Sequence, residues 1–172
     1  MTIWFTADLH LGHTNIIKYC NRPFSSVDEM DEELITRWNE CINPTDIVYH
    51  LGDFCFGNPG KYFKRLNGRI TFIFGSHDRE TAFPIRIREI SPLKDEYGND
   101  RKIVMCHYAM RSWPHSHYAS WHLFGHHHGK LEPYGLSFDV GVDCWDYNPV
   151  SLEEVADKMK TLAPIVDFRR KR

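Results

Sequence analysis

The sequence predicts an α/β layered domain built on a mixed sheet, either as one sheet or as two. Apolar runs of strand length alternate with helical periodicities in the first half of the chain, and strand-type runs dominate the second half. A length of 172 residues suits one domain spanning residues 1–172 with a substantial core. No internal repeat, low-complexity tract or Pro/Gly/Ser-rich linker divides the chain.

Ile3 to Ala7 reads as a strand that runs into Asp8, and Thr14 to Cys20 as a short helix. Ser26 and Glu29 match a capping box, after which Val27, Met30, Leu34, Trp38 and Cys41 recur at helical spacing until Pro44 stops the helix. Ile47 to His50 is a short strand ending at Gly52-Asp53; Tyr62 to Leu66 is helical, and Asn67-Gly68 makes a turn. Ile70 to Phe74 is β-rich and ends at Gly75. Tyr97-Gly-Asn-Asp is a hairpin turn. Ile103 to Cys106 is a strand ending at His107, His122 to Phe124 one ending at Gly125, and Leu136 to Val142 another. Ser151 and Glu154 form a second capping box and open a helix through about Leu162. The tail Arg169-Arg-Lys-Arg is basic.

Composition excludes several classes. The formal net charge of -2 gives no sign of a broad polyanion-binding surface. No basic segment leads into a long apolar run, so we expect no signal peptide, no membrane span and a cytoplasmic protein. The five cysteines are scattered and form no C-x-x-C pair, which fits free thiols in a reducing compartment.

The 11 histidines are informative through their positions. Five successive apolar runs end in residues that bind metals or move protons: Asp8-Leu-His10, Gly52-Asp53, Gly75-Ser-His77-Asp78, His107, and Gly125-His126-His-His128. Each alone is ordinary, because Asp after a strand is commonly a cap or turn former. The series is not ordinary, since adjacent strands would bring all five ends to one sheet edge. Asp8 and His10 would share a side if their segment is extended, as would His126 and His128, with His127 facing away. The donors are oxygen and nitrogen without thiolate, which favours Mn, Fe, Zn or Co over calcium. They exceed what one ion needs and suit two ions about 4 Å apart, with Asp53 as the natural bridge. No G-x-x-x-x-G-K-[ST] loop is present.

These blocks, in this order, resemble the calcineurin-like metallophosphoesterases, whose signature is D-x-H, G-D, G-N-H-[DE], H and G-H-x-H. The match covers roughly residues 1 to 145 and is similar to the small single-domain phosphoesterases of bacteria and phages. The resemblance implies a four-layer α-β-β-α sandwich with two mixed sheets. It implies two divalent metal ions, manganese foremost, with Asp8, His10 and His128 on one, His107 and His126 on the other, Asp53 bridging, and a hydroxide between them as nucleophile. It places His77 over the substrate phosphate as a catalytic residue and leaves Asp78 to support the loop or His77. Two positions depart from the pattern. Ser76 stands where Asn is usual, which predicts a weaker second metal site, and Phe54-Cys-Phe-Gly follows Asp53 where an Arg is frequent.

Further candidates for substrate contact are Arg22, which follows His13 and Asn15 after the first ligand pair, and Arg111 and Trp113 in the aromatic, basic and His-rich stretch before His126. Arg22 would grip phosphate in bidentate fashion or make a salt bridge. The stretch from Arg111 to Trp121 would stack a base or pack onto the core. The expected activity is hydrolysis of a small phosphate ester, a diester or a monoester. The alternative is a nuclease or RNA/DNA end-processing enzyme. A non-catalytic module would be expected to lack several ligands, and only Ser76 is altered. Nothing in the sequence sets the oligomeric state.

Overall fold

A computed structural model describes residues 1–78, 85–94 and 98–165. Its first sheet has the order β3-β2-β1-β8: β1 (Ile3–Thr6) pairs in parallel with β2 (Ile47–His50), β2 with β3 (Arg69–Phe72), and short β8 (Val150–Ser151) adds to β1 antiparallel. The second sheet has the order β4-β5-β6-β7. There β4 (Ile87–Lys94) runs antiparallel to β5 (Asp100–Cys106), and β6 (Trp121–Phe124) and β7 (Ser137–Asp139) follow in parallel. Both sheets are mixed and helices flank them, so the domain is an α/β sandwich as expected. The choice between one sheet and two falls to two.

Period-2 alternation decides what each strand buries. Phe5, Ile103, Met105, Leu123 and Phe138 meet in one core, which Val155 and Met159 of α4 (Leu152–Lys160) complete. Trp4, Val48, Ile70 and Phe72 face the other way, onto Met30, Leu34 and Trp38 of α2 (Val27–Cys41). Each such side chain stabilises the packing by roughly 1.5–3 kcal/mol on full burial. On the outer face of the second sheet, Val104, His122 and Phe124 are buried beneath the segment that carries Trp113.

The short helix α1 (Thr14–Tyr19) lies where expected, and α2 stops ahead of Pro44. The capping box at α4 is complete, with Ser151 Oγ accepting from Glu154 N–H and the Glu154 carboxylate accepting from Ser151 N–H. At α2 only half of it forms: Ser26 Oγ accepts from Glu29 N–H, but the Glu29 carboxylate reaches Ser25. The helix expected at Tyr62 to Leu66 is instead the single turn α3 (Gly60–Phe63), because Pro59, with φ at -63°, starts it earlier. The strand expected over Leu136 to Val142 keeps only Ser137–Asp139 before a 3-10 turn at Val142–Cys144.

Two strands escaped sequence reading. Exposed, charge-rich β4 is an edge strand whose register shifts between Ile90 and Leu93, around Pro92. β8 is two residues long. Lys94 opposite Asp100 makes β4 and β5 a hairpin. Tyr97 of its expected turn lies outside the described residues, as does the Arg169 to Arg172 tail. None of the five cysteines, all among the described residues, forms a disulfide. Among the described residues, no helix is long and apolar enough to cross a membrane.

Candidate metal centre

Parallel pairing brings the ends of β1, β2, β5 and β6 to one edge, and there the backbone leaves the strand conformation. Asp8, His10, Asp53, His126 and His128 all have φ between 49° and 72°. L residues adopt this left-handed region at a cost, which is commonly stored at functional sites. The expectation that strand alternation aims each Asp/His pair is therefore corrected: β1 ends at Thr6, and left-handed loop residues present the ligands. Cross-loop hydrogen bonds hold them, with Asp8 N–H donating to Gly52 C=O and His10 N–H to Asp53 C=O, each at 3.0 Å. The Asp78 carboxylate accepts from the N–H groups of Asp53 (2.7 Å), Phe54 (2.9 Å) and Gly75 (2.8 Å), so it supports the loop.

Glycines leave the space for this. A Cβ on Gly125 would lie 2.6 Å from both Asp8 Oδ2 and Ala7 Cβ, one on Gly141 would lie 2.7 Å from Asp8 Oδ2, and one on Gly75 would overlap Asp53 Oδ1.

Two clusters result. Ligand atoms of Asp8, His10 and His128 lie within 4.8 Å of one another, and so do those of Asp53, His107 and His126. Asp53 Oδ2 also lies 3.7 Å from His10 Nε2, which joins the two clusters through one carboxylate. The histidines are oriented from behind. His107 Nδ1 is 2.8 Å from Leu51 C=O, and its Nε2 lies 3.4 Å from Asp53 Oδ2 and 3.2 Å from His126 Nδ1. His128 Nδ1 sits 2.7 Å from Asp143 Oδ2, the carboxylate–imidazole pairing that frees Nε2 for a metal. A third group, Cys20 with His128 and Asp143, is unsuited to a cation, because Arg22 already covers both Asp143 oxygens.

The donor set fits divalent cations. Asp8 Oδ1 and both ring nitrogens of His10 are buried with no hydrogen-bond partner, a loss of about 1–3 kcal/mol each unless something binds them. Burial pushes the Asp8 carboxyl up to about 7 and the His10 imidazole down to about 3. Burial also pushes the Asp53 carboxyl up, but the bond and charge of His107 more than reverse this and hold it well below the usual carboxylate range. A cation in the first cluster would favour the ionised Asp8 that binds it.

Other expected residues fall into place one by one. Ser76 is exposed at the second cluster, its Oγ 3.1 Å from Asp53 Oδ2. His77 is half-exposed, its Nε2 4.0 Å from Asp53 Oδ2 and its ring 5.6 Å from that of His10. Arg22 is corrected from a substrate contact to a structural residue: it is buried, pairs with Asp143, and donates to the Asp8 and Leu9 carbonyls. Trp113 is corrected likewise. It is buried against His122 and donates its Nε1–H to Ser120 C=O. Arg111 is exposed and lies over the Tyr134 ring, 4.5 Å from its centroid.

Sequence reasoning missed Asp143 and Asp139, whose carboxylate accepts from Gly141 N–H (2.7 Å) and Gly129 N–H (3.1 Å). The signal was present, since the strand at Leu136 to Val142 also ends in acid, as Asp139-x-Gly141-x-Asp143.

No protein-family model matches the chain. It is 37% identical to an uncharacterized protein of Methanocaldococcus jannaschii, over 96% of this chain and 97% of that one. It is 25% identical to the Gene 66 protein of Mycobacterium phage L5, over 90% and 92% respectively. A solved protein of unknown function from Aquifex aeolicus superposes with a TM-score of 0.67 at 21% identity, over 91% of this chain and 98% of that one, a likeness of fold. With more than a third of residues identical over nearly the full length of both, the chain belongs to the same family as the Methanocaldococcus jannaschii protein.

Proposed function

We propose that the protein is a calcineurin-like phosphoesterase that hydrolyses small phosphate esters, diesters before monoesters, with two divalent cations. The observation that carries this reading is the pair of Asp/His clusters joined by Asp53, with half-exposed His77 beside them. Asp8, His10 and His128 hold one cation. His107 and His126 hold the other, with Asp53 shared and Ser76 as a weak oxygen donor to the second. Manganese is the first choice for this oxygen and nitrogen set, and Fe, Zn and Co also suit it. Bound cations supply a water of lowered pKa and positive charge against the phosphoryl oxygens. The protein's own part is to hold that geometry and to move a proton. His77, bound through its own N–H to Asp53 Oδ1 (2.9 Å), has its ring free to hydrogen-bond the phosphate and protonate the leaving oxygen. Trp113, one support of the nucleic-acid alternative, is used in packing, so a small ester is the substrate we propose.

Turnover of bis-p-nitrophenyl phosphate by metal-depleted protein, with and without added Mn, tests this. We expect turnover only with metal, and its absence under both conditions would sink the proposal. His77→Ala should retain metal while kcat falls about 10²–10⁴-fold. Loss of metal instead would show that His77 is a ligand.

A further inference from the structure

We propose that His13 is a second imidazole that contacts the substrate phosphoryl group, opposite His77; this rests on the phosphoesterase reading. His13 occupies the N-cap position of α1, where Ser, Thr, Asp or Asn normally bonds the helix, yet its side chain makes no capping bond. The ring stacks on Phe56 instead, with centroids 3.9 Å apart and planes at 21°. That places it 5.5 Å from the His10 ring and 6.4 Å from the His77 ring. Phe56 in turn lies 5.4 Å from His77, so the two imidazoles flank one exposed phenyl at the mouth of the centre.

His13 Nδ1 is buried and has no hydrogen-bond partner. The residue as a whole is only half-buried, so the ring offers its other nitrogen, Nε2, to a ligand's oxygen. The loop is also built to hold the ring still. The Asp31 carboxylate accepts Gly12 N–H (2.9 and 3.1 Å) and Tyr62 O–H (2.7 Å), and a Cβ on Gly12 would lie 2.9 Å from Tyr62 Oη. Arginine is the common phosphate contact, but Arg22 is bound to Asp143 and Arg111 lies over Tyr134. Neither of the two arginines expected at the substrate supplies that contact, and the His13 imidazole is placed to contribute one.

Inorganic phosphate binding to the Mn-loaded protein, read by calorimetry without turnover, tests the assignment. His13→Ala should weaken phosphate about tenfold, the loss of one hydrogen bond to a charged group, while Mn content and Tm hold. His13→Gln retains a polar atom near the Nε2 position and should recover part of the affinity, and His77→Ala combined with His13→Ala should weaken binding beyond either alone. Equal phosphate affinity in wild type and His13→Ala overturns the inference, as does a loss that only follows lost Mn. Failure of the diester assay in wild type, with phosphate still bound through His13, would instead sink the phosphoesterase reading alone.

Discussion

Asp143→Ala perturbs the centre from behind, without replacing any expected ligand. The Asp143 carboxylate carries two loads: the His128 Nδ1 contact at 2.7 Å, and the Arg22 guanidinium at 2.9 and 2.8 Å. The two side chains of that ion pair are 0% and 7% exposed, so removing the carboxylate strands a buried cation. Breaking a buried pair in this way costs about 3–5 kcal/mol. Arg22 keeps its bonds to the Asp8 and Leu9 carbonyls, which favours the lower end. At this chain length about 3 kcal/mol corresponds to a Tm lower by roughly 6–12 °C. Separately, His128 loses the group that orients it, which lowers metal affinity about 10–100-fold. Thermal unfolding of the metal-free protein reads the first effect and Mn titration reads the second. The double variant Arg22→Met with Asp143→Leu separates them: an apolar pair removes the stranded charge but also the bonds to the Asp8 and Leu9 carbonyls, so it recovers only part of the stability, and the metal defect persists. An Asp143→Ala protein with unchanged Tm and unchanged Mn affinity would refute both parts.

Three further outcomes are expected. Ser76→Asn, which restores a carbonyl donor, should tighten the second cation roughly tenfold, about 1.4 kcal/mol, and leave the first unchanged. A titration in which the wild type already binds two ions equally tightly would contradict this. Gly125→Ala places a Cβ 2.6 Å from Asp8 Oδ2 and should cost roughly 1–3 kcal/mol in stability as well as weakening the first cation; denaturant unfolding with and without Mn measures both. Asp46 accepts N–H bonds from Thr2 (2.7 Å) and Asn43 (3.0 Å), which hold its carboxyl down at about 2 against an ordinary 3.8. A depressed carboxylate stabilises the fold above its unfolded value and loses that contribution as pH falls through its folded one. The stability gap between wild type and Asp46→Asn should therefore be full above pH 4 and close towards pH 2, and a gap that is constant across that window would count against the assignment.

Local chemistry made much of the chain readable. The α2 face of Met30, Leu34 and Trp38 and the Ser151–Glu154 cap are short-range patterns, and both appear in the fold. The five strand-end blocks were readable because a parallel strand delivers its C-terminal residue to a common edge, so spacing alone nominated Asp8, Asp53, His107 and Gly125. Sequence by itself thus determined which residues meet and that their donors are oxygen and nitrogen.

Only the tertiary structure decided how they meet. Left-handed backbone at Asp8, His10, Asp53, His126 and His128 aims the ligands, and that conformation is held by bonds between loops distant in sequence, such as Asp78 to Phe54 N–H. Sequence left Arg22 and Trp113 open between substrate contact and a structural role, because their partners, Asp143 and His122, lie 121 and 9 residues away and come alongside only when the sheets form. Edge strand β4 carries no apolar alternation because it buries little, and its place is set by its hairpin partner β5. Burial and long-range pairing are properties of the assembled chain, and they separated residues that hold the centre from those left open to substrate.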